Sequence, residues 1–270
     1  MEAALSKSAS TLERVDAVVR RVAAEEVMPR YLKVAHKRKS DGSLLTEADV
    51  AAQDRLSQLL PTIVPAPVIG EEMPLEVQQE RWSAGRNGVW CVDPIDGTSN
   101  FVNGLPYFAI SVALMRQGRS VLGVVYDPVA DEMFSAERGG GAFLNGERLP
   151  IKEHVPQLRR AMAEVDFKRL SAPLAQALAA SPPYSSQRNF GASTLEWCYV
   201  AAGRFDVYLH GGQKLWDYAA GSLILEESDG LMCSLDNDDF WADEGWKRSV
   251  LAARSQELFE EWVRWVRARM

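Results

Sequence analysis

Apolar residues recur at helical spacing over residues 5–31: Leu12, Val15, Val18, Val19, Val22 and Val27 share a face, and Pro29 closes the run. Thr46-Glu47-Ala48-Asp49 opens a second helix carrying Val50, Leu56, Leu59 and Leu60 before Pro61. Thr46 with an acid three residues later resembles a capping box, so Asp49 alone reads as a helix-start residue. Strand-like runs then take over. Pro67-Val68 leads into Ile69-Gly70-Glu71-Glu72, and Val89-Trp90-Cys91-Val92 stops at Asp93-Pro94. Residues 109–116 and 121–126, separated by Gln117-Gly118-Arg119-Ser120, form a hairpin signal, and 131–137 supply a third strand. The triple glycine 139–141 has no Gly-Lys-Ser/Thr ending and no following helix, so it reads as a turn between antiparallel strands.

The second half alternates. Strands are expected at 161–165, 205–209 and 249–253, and a helix at 171–180. Gly191-Ala192-Ser193-Thr194 enters a helix that leaves at Gly203, and Trp216-Asp217 opens another over 218–225. A last helix, 257–269, carries the broad apolar face Leu258, Phe259, Trp262, Val263, Trp265 and Val266, a core or subunit contact. Asp217 has a plain reading as a first-turn acid, and Glu71-Glu72 as surface charge. The basic stretch from His36 through Lys37, Arg38, Lys39, Ser40 and Asp41 to Gly42 is either a solvated loop or a flap whose lysines approach a phosphate.

The 270 residues allow one large α/β unit or two packed halves, and no repeat or linker interrupts them. A composition of 47% hydrophobic and 25% charged residues is that of an ordinary globular chain. A net charge of −7 argues against general nucleic-acid or membrane-surface binding. An anionic substrate would have to be held by metal, by backbone amides or by a few placed cations. No stretch approaches the roughly 18 apolar residues of a membrane span. Cys91, Cys198 and Cys233 are widely spaced in apolar surroundings, as buried reduced thiols are, and a cytoplasmic location is expected.

Candidate chemistry centres on Asp93-Pro94-Ile95-Asp96-Gly97-Thr98-Ser99-Asn100. Strand, acidic turn and helix start follow one another, offering hard oxygen ligands beside free backbone N–H groups. The four carboxylates Glu71, Asp93, Asp96 and Asp217, an all-oxygen set, suit Mg²⁺. Thr98 with Asp49 is a candidate pair for orienting and deprotonating water. A Ser/Cys hydrolase is poorly supported, since no Gly-x-Ser-x-Gly elbow occurs and His36, His154 and His210 lack a nucleophile context. An aspartyl-phosphate enzyme needs its two acids two residues apart, whereas Asp93 and Asp96 are three apart. A metal-stabilised scaffold without catalysis remains open on the acids alone.

The segment from Asp93 through Gly97 and Thr98 to Phe101 resembles the first signature of the inositol monophosphatase family, within the Mg²⁺-dependent, Li⁺-sensitive phosphatases. Trp216-Asp217-Tyr218-Ala219-Ala220-Gly221 resembles the second, Gly70-Glu71-Glu72 the upstream acidic pair, and Thr46-Glu47-Ala48-Asp49 the segment of the water-activating aspartate. Residues 139–146 resemble the family's glycine-rich strand turn. The resemblance implies a layered α-β-α-β-α sandwich and usually a homodimer, as one unit over 1–270 with a metal-site half (1–150) and a substrate-pocket half (151–270). It implies two or three Mg²⁺ ions on Glu71, Asp93, the Ile95 carbonyl, Asp96 and Asp217, supported by Glu72. Thr98 and Asp49 would activate the water, the Gly97 and Thr98 amides would seat phosphate, and Lys37 or Lys39 would lie in a mobile loop. The substrate would be a small phosphorylated metabolite. Gly191, Ala192 and Ser193 fit one pocket wall. Inositol-specific members carry a glutamate where this chain has His210, followed by Gly211-Gly212-Gln213-Lys214. Fructose 1,6-bisphosphate, histidinol phosphate or 3′-phosphoadenosine 5′-phosphate therefore stand beside inositol 1-phosphate as substrates, with His210 and Lys214 placed to favour a second anionic group.

Overall fold

The computed structural model describes residues 9–33, 36–39, 44–153, 155, 157–242 and 246–270. Residues 40–42 of the basic stretch, residues 5–8 of the expected first helix, and His154 lie outside the described residues. Helix α1 (Thr11–Val22) starts at a capping box in which Ser10 and Glu13 satisfy each other's backbone N–H. It runs on through a π-helical turn (Ala23–Val27) and a 3₁₀ turn (Met28–Arg30) containing Pro29. Strands β1 (His36–Arg38) and β2 (Leu44–Thr46) pair antiparallel and lead into α2 (Glu47–Leu59).

A seven-stranded sheet follows. It comprises β3 (Val68–Gly70), β4 (Val89–Asp96), β5 (Ala109–Arg116), β6 (Arg119–Asp127), β7 (Glu132–Glu137), β8 (Gly141–Leu144) and β9 (Glu147–Arg148), in that spatial order. Only the β3–β4 pair is parallel. Between β3 and β4 lies α3 (Leu75–Ala84), and after β4 comes α4 (Thr98–Asn103). Helix α3 was not expected from the pattern, because it buries little: Gln78 is its one fully buried residue. The glycine run 139–141 is the expected turn between antiparallel strands.

The second sheet is built from β10 (Met162–Asp166), β11 (Ser186–Arg188), β12 (Val207–Gln213), β13 (Leu231–Cys233) and β14 (Arg248–Ala253). Its order is β11-β10-β12-β14-β13, with β10 parallel to both neighbours. Helix α5 (Ala172–Ala180) precedes β11, α6 (Ser193–Ala201) and α7 (Leu215–Glu226) flank β12, and α8 (Gln256–Arg267) ends the chain. Strand β12 runs past its expected end at residue 209 to Gln213. Two glycines hid the extension: a Cβ at Gly211 would fall 1.9 Å from the Arg169 carbonyl, so only glycine fits that crossing. Helix α7 starts at Leu215, which makes Asp217 its third residue.

Three cores hold five layers together, the middle one serving both faces of the α6–α7 layer. Val15, Val19, Leu56 and Leu60 of the first helices cover Trp90, Val92 and Val124 of the seven-stranded sheet. Helices α6 and α7 fill the middle, with Trp197, Tyr218 and Leu223 packed between Cys91, Ala113 and Phe134 of the first sheet and Tyr208, Val250 and Ala252 of the second. Leu174, Leu178, Leu258, Trp262 and Val266 cover the outer face. This is the α-β-α-β-α sandwich. The middle layer is tight: a Cβ at Gly221 would meet Trp197 Cβ at 2.4 Å, so the α6–α7 crossing depends on its absence. The three cysteines are buried and free, and among the described residues no helix is long and apolar enough to cross a membrane.

Candidate active site

Strand β4 is buried along its length and delivers the acids. Pro94 has no N–H for the ladder, and the β4–β5 register shifts between Asp93 (opposite Ser111) and Asp96 (opposite Ala109). Asp93 Oδ1 accepts the Ile95 N–H at 3.1 Å. Asp96 Oδ2 accepts both the backbone N–H and the hydroxyl of Thr194, at 2.6 and 2.7 Å, which ties the turn to the start of α6. Asp217, in the first turn of α7, accepts the Lys214 N–H at 2.8 Å. Carboxylate oxygens of Asp93, Asp96 and Asp217 all lie within 4.8 Å of one another. Burial, then the neighbouring acids, pushes Asp93 and Asp217 well above the usual carboxylate range, and burial takes Asp96 to about 6.

Glu71 and Glu72 sit just beyond β3. Lys39 Nζ is 2.9 Å from Glu71 Oε1 and 2.6 Å from Glu72 Oε1. Burial works against the Lys39 ammonium, but the two glutamates outweigh it and hold it above its ordinary value. Burial and Glu71 raise Glu72 to about 7. Gln53, from α2, accepts the Glu72 N–H at 3.2 Å. Lys37, also singled out in the sequence, is exposed on β1.

Asp49 is 1% exposed. Its Oδ2 accepts the Thr46 N–H (2.7 Å) and hydroxyl (2.6 Å), the expected capping box, while Oδ1 faces Thr98 Oγ1 at 3.4 Å. Burial lifts Asp49 to about 6 against the pull of the Thr46 bonds. Thr98 Oγ1 also lies 3.0 Å from the Ile95 carbonyl oxygen. Gly97, at φ 85°, precedes α4; a Cβ there would sit 3.1 Å from both Ala192 Cβ and the Tyr107 carbonyl. The Gly97 turn thus packs directly on the Gly191-Ala192 segment, and Ser193 opens α6 beside it.

Two buried acids near these residues escaped the sequence reading. Glu196 Oε1 accepts the Gly191 N–H at 3.0 Å, and its Oε2 accepts the Tyr208 hydroxyl at 3.1 Å. Glu164, fully buried on β10, has neither oxygen in hydrogen-bond geometry among the described residues, although its proximity to Glu196 favours the neutral form. Burial, then Glu196, makes Glu164 hold its proton far above the usual range. An acid between Ala163 and Val165, and another between Leu195 and Trp197, were the available signals. His210 is 2% exposed. Its Nδ1 accepts the Gly212 N–H at 3.1 Å, and its Nε2 lies 3.0 Å from Asp166 Oδ2. An acceptor at Nδ1 makes this the neutral Nε2–H tautomer, consistent with burial lowering the imidazole pKa. Both ring nitrogens are spent, so the expectation that His210 itself greets an anion is not met. Asp166 is ionised: burial alone would raise it, but the His210 bond, the Lys168 N–H and Arg169 hold it near 2.

The Inositol monophosphatase family pattern matches residues 8–269. An inositol-1-monophosphatase of Caulobacter vibrioides is 33% identical over 245 residues, covering 88% of this chain and 91% of that protein. An inositol-1-monophosphatase of Mesorhizobium japonicum is 38% identical over 167 residues, and the match spans 58% of this chain and 60% of that protein. The Nus factor SuhB of Haemophilus influenzae is 38% identical over 176 residues, spanning 63% of this chain and 64% of that protein. Among solved structures, the extragenic suppressor protein suhB from Bartonella henselae superposes with a TM-score of 0.83 at 25% identity, over 97% of this chain and 100% of that one. An IMPase/NADP phosphatase complexed with Mg²⁺ and phosphate gives 0.79 at 26% identity, over 94% and 95%. With its layered sandwich and a family match over nearly the whole length, this chain belongs to the inositol monophosphatase family.

Proposed function

We propose that the protein is a Mg²⁺-dependent phosphomonoesterase in which water attacks phosphorus directly, without a covalent aspartyl phosphate. The carrying observation is the convergence of Asp93, Asp96 and Asp217. Three carboxylates this close, Asp93 buried and the other two largely shielded from solvent, repel one another and need protons or a cation. The donor set is all oxygen, with no thiolate or imidazole in the cluster, which fits a hard ion such as Mg²⁺. Asp93, Asp96 and Asp217, with Glu71 and the Ile95 carbonyl, would hold two or three such ions, Glu72 supporting them. When bound, Mg²⁺ supplies electrostatic stabilisation of the charge on the phosphoryl oxygens.

The chain's own part is positioning and proton transfer. The Thr98 hydroxyl orients the water, and Asp49, raised to about 6, accepts its proton near neutral pH. The water oxygen forms the new P–O bond while the ester P–O bond breaks, its electron pair leaving with the alcohol oxygen, which takes a proton from solvent. The Gly97 and Thr98 amides face the phosphate. Lys39 holds Glu71 and Glu72 together from the N-terminal side. Support also comes from the solved relative described with Mg²⁺ and phosphate. Substrates are small phosphate monoesters of the inositol 1-phosphate kind; the protein acts as one unit over 1–270, in the cytoplasm, as a Li⁺-sensitive homodimer.

A regulatory, non-catalytic reading is favoured by one specific observation, the relatives named Nus factor. Phosphate release from a broad monoester panel separates the two: turnover that needs Mg²⁺ and is lost in Asp217→Asn supports the enzyme, and none across the panel supports the regulator.

A further inference from the structure

Strands β10 and β12 are parallel, so their C-terminal ends lie at one edge, where α/β sheets gather ligands. Asp166 ends β10 and pairs in register with His210. Seven residues after His210 the chain delivers Asp217. The turn after β10, Phe167–Arg169, is pressed onto β12 at Gly211, where the Arg169 carbonyl leaves no space for a Cβ. Asp166 Oδ1 caps that turn by accepting the Lys168 N–H at 2.8 Å. The backbone that carries Arg169 is therefore fixed.

Asp166 is engaged through both oxygens: Oδ1 takes Lys168, while Oδ2 takes both His210 and Arg169 Nη1, at 3.0 and 2.9 Å. His210 is buried and neutral. Arg169 is the most exposed of the three, with 47% of its side chain accessible against 12% for Asp166. Among the described residues its Nε and Nη2 make no hydrogen bond. An exposed ion pair between residues three apart contributes little to stability. Here, however, the carboxylate is clamped by a buried histidine, so it orients the guanidinium. Arg169 also lies close enough to Asp217 for its charge to act on that acid. Two other cations are near: Lys247, which lies against Gly212, and Lys214, beside the Trp216 ring. Neither ammonium is hydrogen-bonded to a carboxylate among the described residues. A planar fork with two free donors matches a phosphate better than either ammonium does.

We propose that Arg169, aimed by the Asp166–His210 pair, selects substrates by binding a second phosphate group on the phosphomonoester. This rests on the phosphomonoesterase reading and names its substrate class, monoesters that keep one phosphate while losing another. It moves the second-anion preference from His210 and Lys214, where the sequence put it, to Arg169.

Matched pairs test it: fructose 1,6-bisphosphate against fructose 1-phosphate, and adenosine 3′,5′-bisphosphate against adenosine 3′-phosphate, each with Mg²⁺. The wild type is expected to favour the bisphosphate in at least one pair. Arg169→Gln should lower that preference by about tenfold or more, the loss of a charge-assisted contact, and chiefly through KM. Arg169→Lys should restore part of it, Asp166→Asn should reproduce part of the loss, and Lys214→Ala should leave the ratio in place. No bisphosphate preference in either pair, or a ratio that survives Arg169→Gln, overturns the assignment of Arg169 while leaving the phosphatase reading intact. Absence of Mg²⁺-dependent turnover on every member, with p-nitrophenyl phosphate included, ends both.

Discussion

Thr98 Oγ1 lies 3.4 Å from Asp49 Oδ1, and Asp49 has committed its other oxygen, Oδ2, to Thr46. One carboxylate thus holds a helix start with one oxygen and faces the Thr98 hydroxyl with the other. The capping bonds fix the side chain, so the oxygen facing Thr98 needs no further ordering when substrate arrives.

Removing either member should cost rate. Thr98→Ala and Asp49→Asn are each expected to lower kcat by about 10²- to 10⁴-fold, the usual yield of a positioned proton acceptor, with a smaller change in KM. Thr98→Ser, which keeps the hydroxyl, should retain most of the activity. Steady-state kinetics on one monoester at saturating Mg²⁺ checks this. Because Asp49 is raised to about 6 and acts as its anion, kcat/KM should fall on the acid side of that pH, and Asp49→Asn should remove its share of the limb, leaving the part that Asp96 and Glu72 contribute.

The Glu164–Glu196 pair makes a prediction about stability. Burial raises both carboxyls, so the folded protein holds protons that the unfolded chain releases near the ordinary glutamate value of 4.5. Stability is then fullest below that pH and declines as pH rises toward the folded values. Glu164→Gln keeps the shape of the neutral acid and removes its titration. Urea unfolding at pH 5.5 and 9 should show the variant gaining on wild type by at least about 1 kcal/mol at the higher pH. Equal slopes in the two proteins would refute the assignment.

Gly221→Ala should destabilise the fold although alanine is the better helix former. The new methyl meets Trp197 Cβ at 2.4 Å, inside the layer that both sheets share. Overpacking of this kind costs about 1–3 kcal/mol, more than the propensity gain of about 1 kcal/mol. Thermal unfolding measures it, and an unchanged or higher Tm would show that the α6–α7 crossing is looser than the structure indicates.

Metal should stabilise the folded state directly. At Mg²⁺ a hundredfold above Kd the expected gain is about 2.7 kcal/mol, reversed by chelation. Asp217→Asn should lose this increment while equalling or exceeding wild-type Tm in chelator, because one repelling carboxylate is gone.

The fold was legible where local chemistry and global packing agree. Val15, Val19 and Val22 on one helical face, the hairpin around Gly118, and the acid-proline break at Asp93-Pro94 all read directly. Strand β12 was cut short because Gly211 and Gly212 argue locally against a strand, and only the Arg169 carbonyl pressed against Gly211 explains them. Helix α3 escaped because it lies on the surface with almost no apolar stripe. In the site, the acids at strand ends were visible from spacing and resemblance. The role of His210 was not. Its partner Asp166 lies on a neighbouring strand, forty-four residues earlier in the chain, and no local pattern reports that a buried imidazole has both nitrogens engaged. Glu164 and Glu196 were hidden the same way, as single acids inside apolar runs whose meeting depends on sheet and helix register.

The central claim is that Asp93, Asp96 and Asp217 form a cation site that makes this protein a phosphomonoesterase. Inorganic phosphate release from inositol 1-phosphate and the bisphosphate panel, in wild type and Asp93→Asn, with Mg²⁺ and with chelator, measures it most directly. Release by wild type with Mg²⁺ alone, abolished by chelator and by the substitution, is the expected result. Release that persists in chelator or in Asp93→Asn, or none from wild type with Mg²⁺ on any substrate, would contradict it.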